Sequence, residues 1–156
     1  MLFTDRHEAA LALGRRLDHL RLDEPVVAGL EPDGIPIARD VAAVLDAPVV
    51  PLAVTPDRRL LPLFDGRTVV VVGESLTPVA TARSACRVAR GAGATSIVLA
   101  VPAASFVFAE LAACDADAVI VVELRPWFRS IDEVYGAAPA GADRSSGPAA
   151  FAATGR

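Results

Sequence analysis

Apolar positions along the chain fall into two alternating rhythms. Short, largely β-branched runs at 25–30 (PVVAGL), 48–54, 69–72, 96–101 and 118–122 predict strands, and segments with helical spacing separate them. Val69, Val70, Val71 and Val72 are unbroken, the pattern of a strand covered on both faces of a parallel sheet. Residues 4–21 predict an amphipathic helix capped by Thr4, with Asp5 and Glu8 at its positive end and Ala10, Leu13, Leu17 and Leu20 as the buried stripe. Residues 35–46 predict a second helix, with Ile37, Val41, Val44 and Leu45 inward. After the valine run a polar loop opens into a third. There Thr77 is the expected N-cap, Pro78 the first helical residue, and Val79, Ala82, Cys86 and Ala89 the inner face, with Gly91 and Gly93 ending it. Ser105 caps a last helix over 106–114.

The order of strands and helices implies βαβ units with right-handed crossovers. The expected fold is therefore α/β: three-layer, with a mostly parallel five-stranded sheet and helices on both faces. Residues 55–66 are too short for a crossover helix and read as a loop, with room for an edge strand at 60–64. Residues 125–135 are expected to pack Trp127, Phe128 and Tyr135 back on the domain. From Gly136 the chain is Ala, Gly, Pro and Ser with almost nothing to bury, so the reading is one domain over 1–136 and a disordered tail over 137–156.

Composition narrows the function. Hydrophobic residues make up 53% of the 156, yet no run approaches the roughly 18 apolar residues of a membrane helix. The N-terminus is polar almost at once, unlike a signal peptide, and the cytoplasm is the expected location. A net charge of −4 argues against nonspecific nucleic-acid binding. All 15 basic residues are arginine, so a P-loop lysine or a Schiff base is excluded. Cys86 and Cys114 lack metal-ligand spacing and read as buried, reduced thiols; His7 and His19 read as surface or helix-end residues.

The candidate chemistry lies where strand 69–72 meets its helix, the junction at which open α/β folds bind phosphates. Glu74, Ser75, Thr77 and Thr81 either bind an anion such as a sugar phosphate or cap the helix and hydrate the loop. Glu31, Asp33 and Glu74 either gather one divalent cation or remain three solvated acids. Arg58 and Arg59 either contact anions or form a solvated pair. Phe106, Phe108, Trp127 and Phe128 form an exposed apolar patch or ordinary core and rim.

Four segments together resemble the type I phosphoribosyltransferases, especially small stand-alone bacterial members. FTDRHEAALALGRRL resembles that branch's opening F-x-D-R-x-x-A-x-x-L-A helix. VVAGLEPDGIPIARDVAAVLDAPV resembles its V-V-x-G-L-P-R-G-G-V-P-V-A segment. TVVVVGESLTPVATARSA lies where the family carries four apolar residues and then D-D-G-I-A-T-G-A-T. AGATSIVLAVPAAS resembles the strand that follows. The resemblance implies a phosphate and ribose loop at Glu74, Ser75, Leu76, Thr77, Pro78, Val79, Ala80 and Thr81, and a pyrophosphate loop at Glu31, Pro32, Asp33 and Gly34.

At these positions the pattern is altered. Of the two adjacent acids that hold the ribose hydroxyls in the family, only Glu74 remains, beside Gly73. The T-G-x-T turn is Pro78-Val79-Ala80-Thr81, in which Pro78 deletes a donor and Val79 replaces a glycine. The family's P-R-G-G is Glu31-Pro32-Asp33-Gly34, an arginine exchanged for carboxylates. One like-charge contact at about 4 Å costs on the order of 4 kcal/mol at an effective dielectric of about 20, roughly a thousandfold in affinity. The short 55–66 stretch replaces the family's long covering segment.

Three function classes follow. One is a phosphoribosyltransferase that uses phosphoribosyl pyrophosphate (PRPP), Mg²⁺ and an unknown base. The second is a degenerate domain that senses a phosphorylated metabolite. The third is a partner subunit, in a homodimer or with an intact paralogue. The loop substitutions favour the second and third, with PRPP transfer lost or weakened.

Overall fold

The structure, a computed structural model, describes residues 2–128 and 131–135; the expected tail at 137–156 lies outside them. Five strands, β1 (Val26–Leu30), β2 (Val49–Leu52), β3 (Thr68–Val72), β4 (Ser96–Ser105) and β5 (Ala118–Arg125), form one sheet in the order β2-β1-β3-β4-β5. Every pairing is parallel. Helices α1 (Arg6–Asp18) and α2 (Gly34–Leu45) cover one face, and α3 (Leu61–Phe64), α4 (Val79–Gly91) and α5 (Phe106–Ala112) the other.

Strand alternation divides the core. Val70, Val72, Val27, Val98 and Ala100 point towards α1 and α2 and pack on Leu13, Leu17, Ile37 and Val41. Val69, Val71, Val26, Ile97 and Leu99 point the other way, onto Ala82, Ala85, Cys86 and Ala89 of α4. All four valines of β3 are fully buried, which is why an unbroken β-branched run marks the middle of this sheet.

Several boundaries differ from the sequence reading. Helix α1 is capped by Asp5, whose carboxylate accepts from Glu8 N, while Thr4 N donates to the Glu8 side chain. It ends at Asp18, and Leu20 is exposed. Val44 and Leu45 are half-buried at the rim of α2. Residues 60–64 are not an edge strand. A 3-10 turn over Arg58–Leu60, capped by Asp57, leads into α3, with Pro62 in its first turn where a missing N–H costs little, and Phe64 is fully buried beside α4.

Strand β4 runs past its expected end at Val101, through Pro102 to Ser105, paired with β5 over Ala103–Ser105 and Glu123–Arg125. Pro102 is tolerated because β3 pairs with β4 no further than Ala100, so no neighbour on that side needs its N–H. Helix α5 stops at Ala112, leaving Cys114 exposed; only Cys86 is a buried thiol, and burial pushes it up to about 12. No helix among the described residues is long and apolar enough to cross a membrane.

Candidate functional site

Strands β1 and β3 are neighbours, and the chain leaves them towards opposite faces of the sheet, to α2 on one and α4 on the other. The crevice where connections diverge in this way is the usual ligand position in an open α/β sheet. The two loops meet there because position 34 is glycine. A Cβ at Gly34 would lie 2.5 Å from Val72 O and 3.3 Å from Gly73 Cα. Asp33 caps α2 by backbone alone, the Glu31–Pro32 peptide is cis, and Glu31, Pro32 and Asp33 are exposed.

The β3–α4 loop is ordered by its own polar atoms. Thr77 does not cap α4. Its Oγ1 accepts from Glu74 N at 2.9 Å, and Thr77 N donates to Glu74 O at 3.0 Å. Pro78 holds the cap position with no side-chain bond, and Val79 begins the helix. Pro78 and Ala80 are exposed, Thr81 and Val79 half-buried, and no acid lies in the first turn of α4. The first N–H groups of that helix therefore face the crevice end of the sheet without a side-chain acceptor.

Glu74 is the principal surprise. Among Glu31, Asp33 and Glu74 it alone is buried, at 5% exposure. A carboxylate that deep needs compensation, and the chain supplies three donors. Ser75 N donates to Oε1 at 2.7 Å, the Tyr135 hydroxyl donates to the same oxygen, and Arg6 Nε donates to Oε2 at 2.7 Å. Ser75, also buried, has its hydroxyl 3.4 Å from that of Tyr135. The Arg6 guanidinium lies 6.0 Å from the Tyr135 ring centre. Burial opposes the charge on Arg6, but Glu74, then Tyr135 and Asp33, outweigh it and raise its pKa. Burial, reinforced by the negative charge of Glu74, also pushes Tyr135 far up, so its hydroxyl stays a donor.

Tyr135 reaches this position through pairing of residues 134 and 135 with residues 2 and 3. Leu2 N and Phe3 N both donate to Val134 O, at 3.1 and 2.8 Å, and Phe3 forms a parallel bridge with Tyr135. Phe3, Ala9, Ala103, Phe128, Val134 and Tyr135 form a third buried cluster, on which Leu76 packs. Phe128 and Tyr135 pack back as expected, whereas Trp127 is half exposed; with Phe128 buried and Phe108 half-buried, the four aromatics do not make one exposed patch.

The remaining candidates divide similarly. Among the described residues no three His, Cys, Asp or Glu side chains converge on a metal position. Glu74 is taken up by Arg6 and Tyr135, so Glu31, Asp33 and Glu74 do not fit a resident Mg²⁺. Arg59 pairs with Asp57 on the surface, and Arg58 lines a cleft of about 580 Å³ beside the C-terminal half of α4, a cleft to which no residue of 73–81 contributes. His7 pairs with Asp40 at the surface, and His19 caps α1. Arg6 and Tyr135 were the site residues that sequence reasoning passed over. Arg6 lay within the quoted opening motif, but nothing in its spacing pointed to Glu74, 68 positions away.

No protein-family model matches the chain, and no curated protein matches its sequence. Solved structures do resemble it. TT1426 from Thermus thermophilus superimposes with a TM-score of 0.77 at 21% identity, over 100% of both chains. A purine phosphoribosyltransferase from Pyrococcus horikoshii superimposes at 0.55 and 18% identity, over 78% of this chain and 83% of that one. The fold is that of the phosphoribosyltransferases. A hypothetical protein from Neisseria gonorrhoeae, solved with bound ppGpp, also resembles this phosphoribosyltransferase-like chain, at 0.53 and 16% identity over 68% of this chain and 72% of that one. In this setting the crevice between β1 and β3 carries the loop to which the sequence resemblance pointed.

Proposed function

We infer that the chain is a phosphoribosyltransferase-like binding domain, in which PRPP transfer is lost or weakened and loop 73–81 receives a phosphorylated metabolite. In the cell it would act as a regulatory or partner subunit in the cytoplasm, as a homodimer or with an intact paralogue. The observation that carries the reading is Glu74. The one acid left to hold ribose hydroxyls is buried and engaged by Arg6, Tyr135 and Ser75 N. Pro78 and exposed Asp33 weaken the phosphate and pyrophosphate loops in turn. Phosphoribosyl transfer would require PRPP to be positioned and its leaving pyrophosphate stabilised. The ppGpp bound to the Neisseria gonorrhoeae protein lends support to a phosphorylated ligand.

The second reading, an active phosphoribosyltransferase dependent on PRPP and Mg²⁺, is favoured by the likeness to the purine phosphoribosyltransferase. A thermal-shift series paired with an assay of pyrophosphate release separates the two. A ligand at about 100 times its dissociation constant stabilises a fold by roughly 2.7 kcal/mol, a readily measured rise in Tm. Sugar phosphates or nucleotides should raise Tm. PRPP with Mg²⁺ should leave pyrophosphate release at background with any common base. Base-dependent pyrophosphate release from the unmodified protein would replace this reading with the enzyme.

A further inference from the structure

We propose that β5 pairs with β5 of a second copy of this chain, antiparallel about a two-fold axis, so that two sheets join into one. The inference gives the homodimer of the reading above its surface, and it makes no use of the crevice.

The two edges of the sheet are built differently. At one, β2 has four residues, among them Pro51, which cannot donate and blunts the edge. At the other, β5 has eight, about 26 Å of strand, with no proline and Glu123 as the one charge before its last residue. Its partner is β4 on one side only, and no described residue pairs with the outer side. Alternate N–H and C=O groups of an apolar strand thus point to where a further strand would lie. Exposed apolar side chains accompany them. Helix α5 packs on α4, β4 and β5, and its free side carries Phe106, Val107 and Leu111, all exposed, as is Leu124 of β5 itself.

Charge selects the partner. The strand is bounded by opposite charges, Asp117 just before it and Arg125 at its end. Asp117 accepts from Ile97 N at 2.7 Å and pairs with Arg90 at 3.0 Å through the same oxygen, and its side chain is half exposed. The Arg125 guanidinium lies 5.9 Å from the Phe128 ring centre, and among the described residues no carboxylate pairs with it. Antiparallel pairing with Val121 on the axis places Asp117 of each copy opposite Arg125 of the other, with apolar 118–122 between. Parallel pairing would set like charges together. The axis is perpendicular to the sheet, so both α5 helices lie on one face and their exposed side chains are covered together. Such a pair uses both β5 edges and leaves a blunt β2 edge at each end of the joined sheet, so assembly stops at two.

The test is sedimentation equilibrium of the full chain from micromolar to near-millimolar concentration, with amide exchange followed over the same range. The mass should rise to twice that of the chain, and exchange in β5 should slow with concentration while that in β3, paired on both sides, does not change. Arg125→Asp turns two attractions into repulsions and should raise the dissociation constant about tenfold. Arg58→Asp, the same charge change at an exposed position outside β5 and α5, should leave it unchanged. A monomer at every concentration would overturn the proposal, and β5 amides already protected in that monomer would show the edge covered by the chain itself. A dimer indifferent to Arg125→Asp, with β5 exchange independent of concentration, would place the interface elsewhere and also overturn it. Masses beyond two copies would overturn the closed pairing. Each of these results leaves ligand binding at loop 73–81 to be decided by the thermal-shift series.

Discussion

At the level of single residues, Gly34 and Glu74 fix the crevice in different ways: one by what it lacks, the other by what it attracts. The obstacles around Gly34 are backbone atoms, Val72 O and Gly73 Cα, which cannot rotate aside as a side-chain tip would. Gly34→Ala should therefore destabilise the protein by about 1–3 kcal/mol, as overpacking does. It should lower the urea midpoint without changing the slope. Gly91→Ala is the control, because nothing lies within 4 Å of the place its methyl would take and alanine is the better helix former. Equal midpoints for the two variants would refute the close-approach account. Gly34 was legible in the sequence, since the resemblance placed a glycine at the end of that loop. The environment of Glu74 was not: its side-chain partners stand 68 and 61 positions away, and no local pattern encodes contacts over such separations.

Among the elements, helix starts separate two hydroxyl residues that look alike in sequence. Ser105 has extended backbone and its Oγ accepts from Phe108 N at 3.1 Å, so it caps α5 as expected. Thr77 falls one position short of the cap because Pro78 takes that place, and its hydroxyl turns back to Glu74 N. Ser105→Ala should cost about 1 kcal/mol, the usual value of an N-cap. Thr77→Val should instead speed amide exchange at Glu74 and leave the amides of α4 unaffected; faster exchange throughout α4 would restore Thr77 as its cap. Strand cores were readable because valine runs buried on both faces have few alternatives. The 60–64 segment was not, since a short apolar run suits a strand or a helix and only the packing of Phe64 decides. The strand read at 96–101 likewise stops just before Pro102, yet a proline is harmless where the neighbouring strand has already stopped.

Across the whole molecule, stability should fall from the centre of the sheet outward, and the candidate site lies on that gradient. Strands β1 and β3 are each flanked on both sides, and β3 is fully buried from Val69 to Val72. Strand β2 is an outer strand of four residues, two of them exposed, with Pro51 unable to donate. Residues 2 and 3 are joined to 134 and 135 by two backbone bonds and one bridge. Layer order and sheet direction follow from the βαβ rhythm alone, but this ranking needs the three-dimensional neighbours. Native-state hydrogen exchange should find the amides of Val70 and Val71 opening only with global unfolding, those of β2 at lower free energy, and Leu2 and Phe3 lowest. The crevice would then have a rigid floor, made by the ends of β1 and β3. If Leu2 and Phe3 exchange only with global unfolding, the pairing of residues 2 and 3 with 134 and 135 is as integral to the core as the sheet, and the gradient ends at β2.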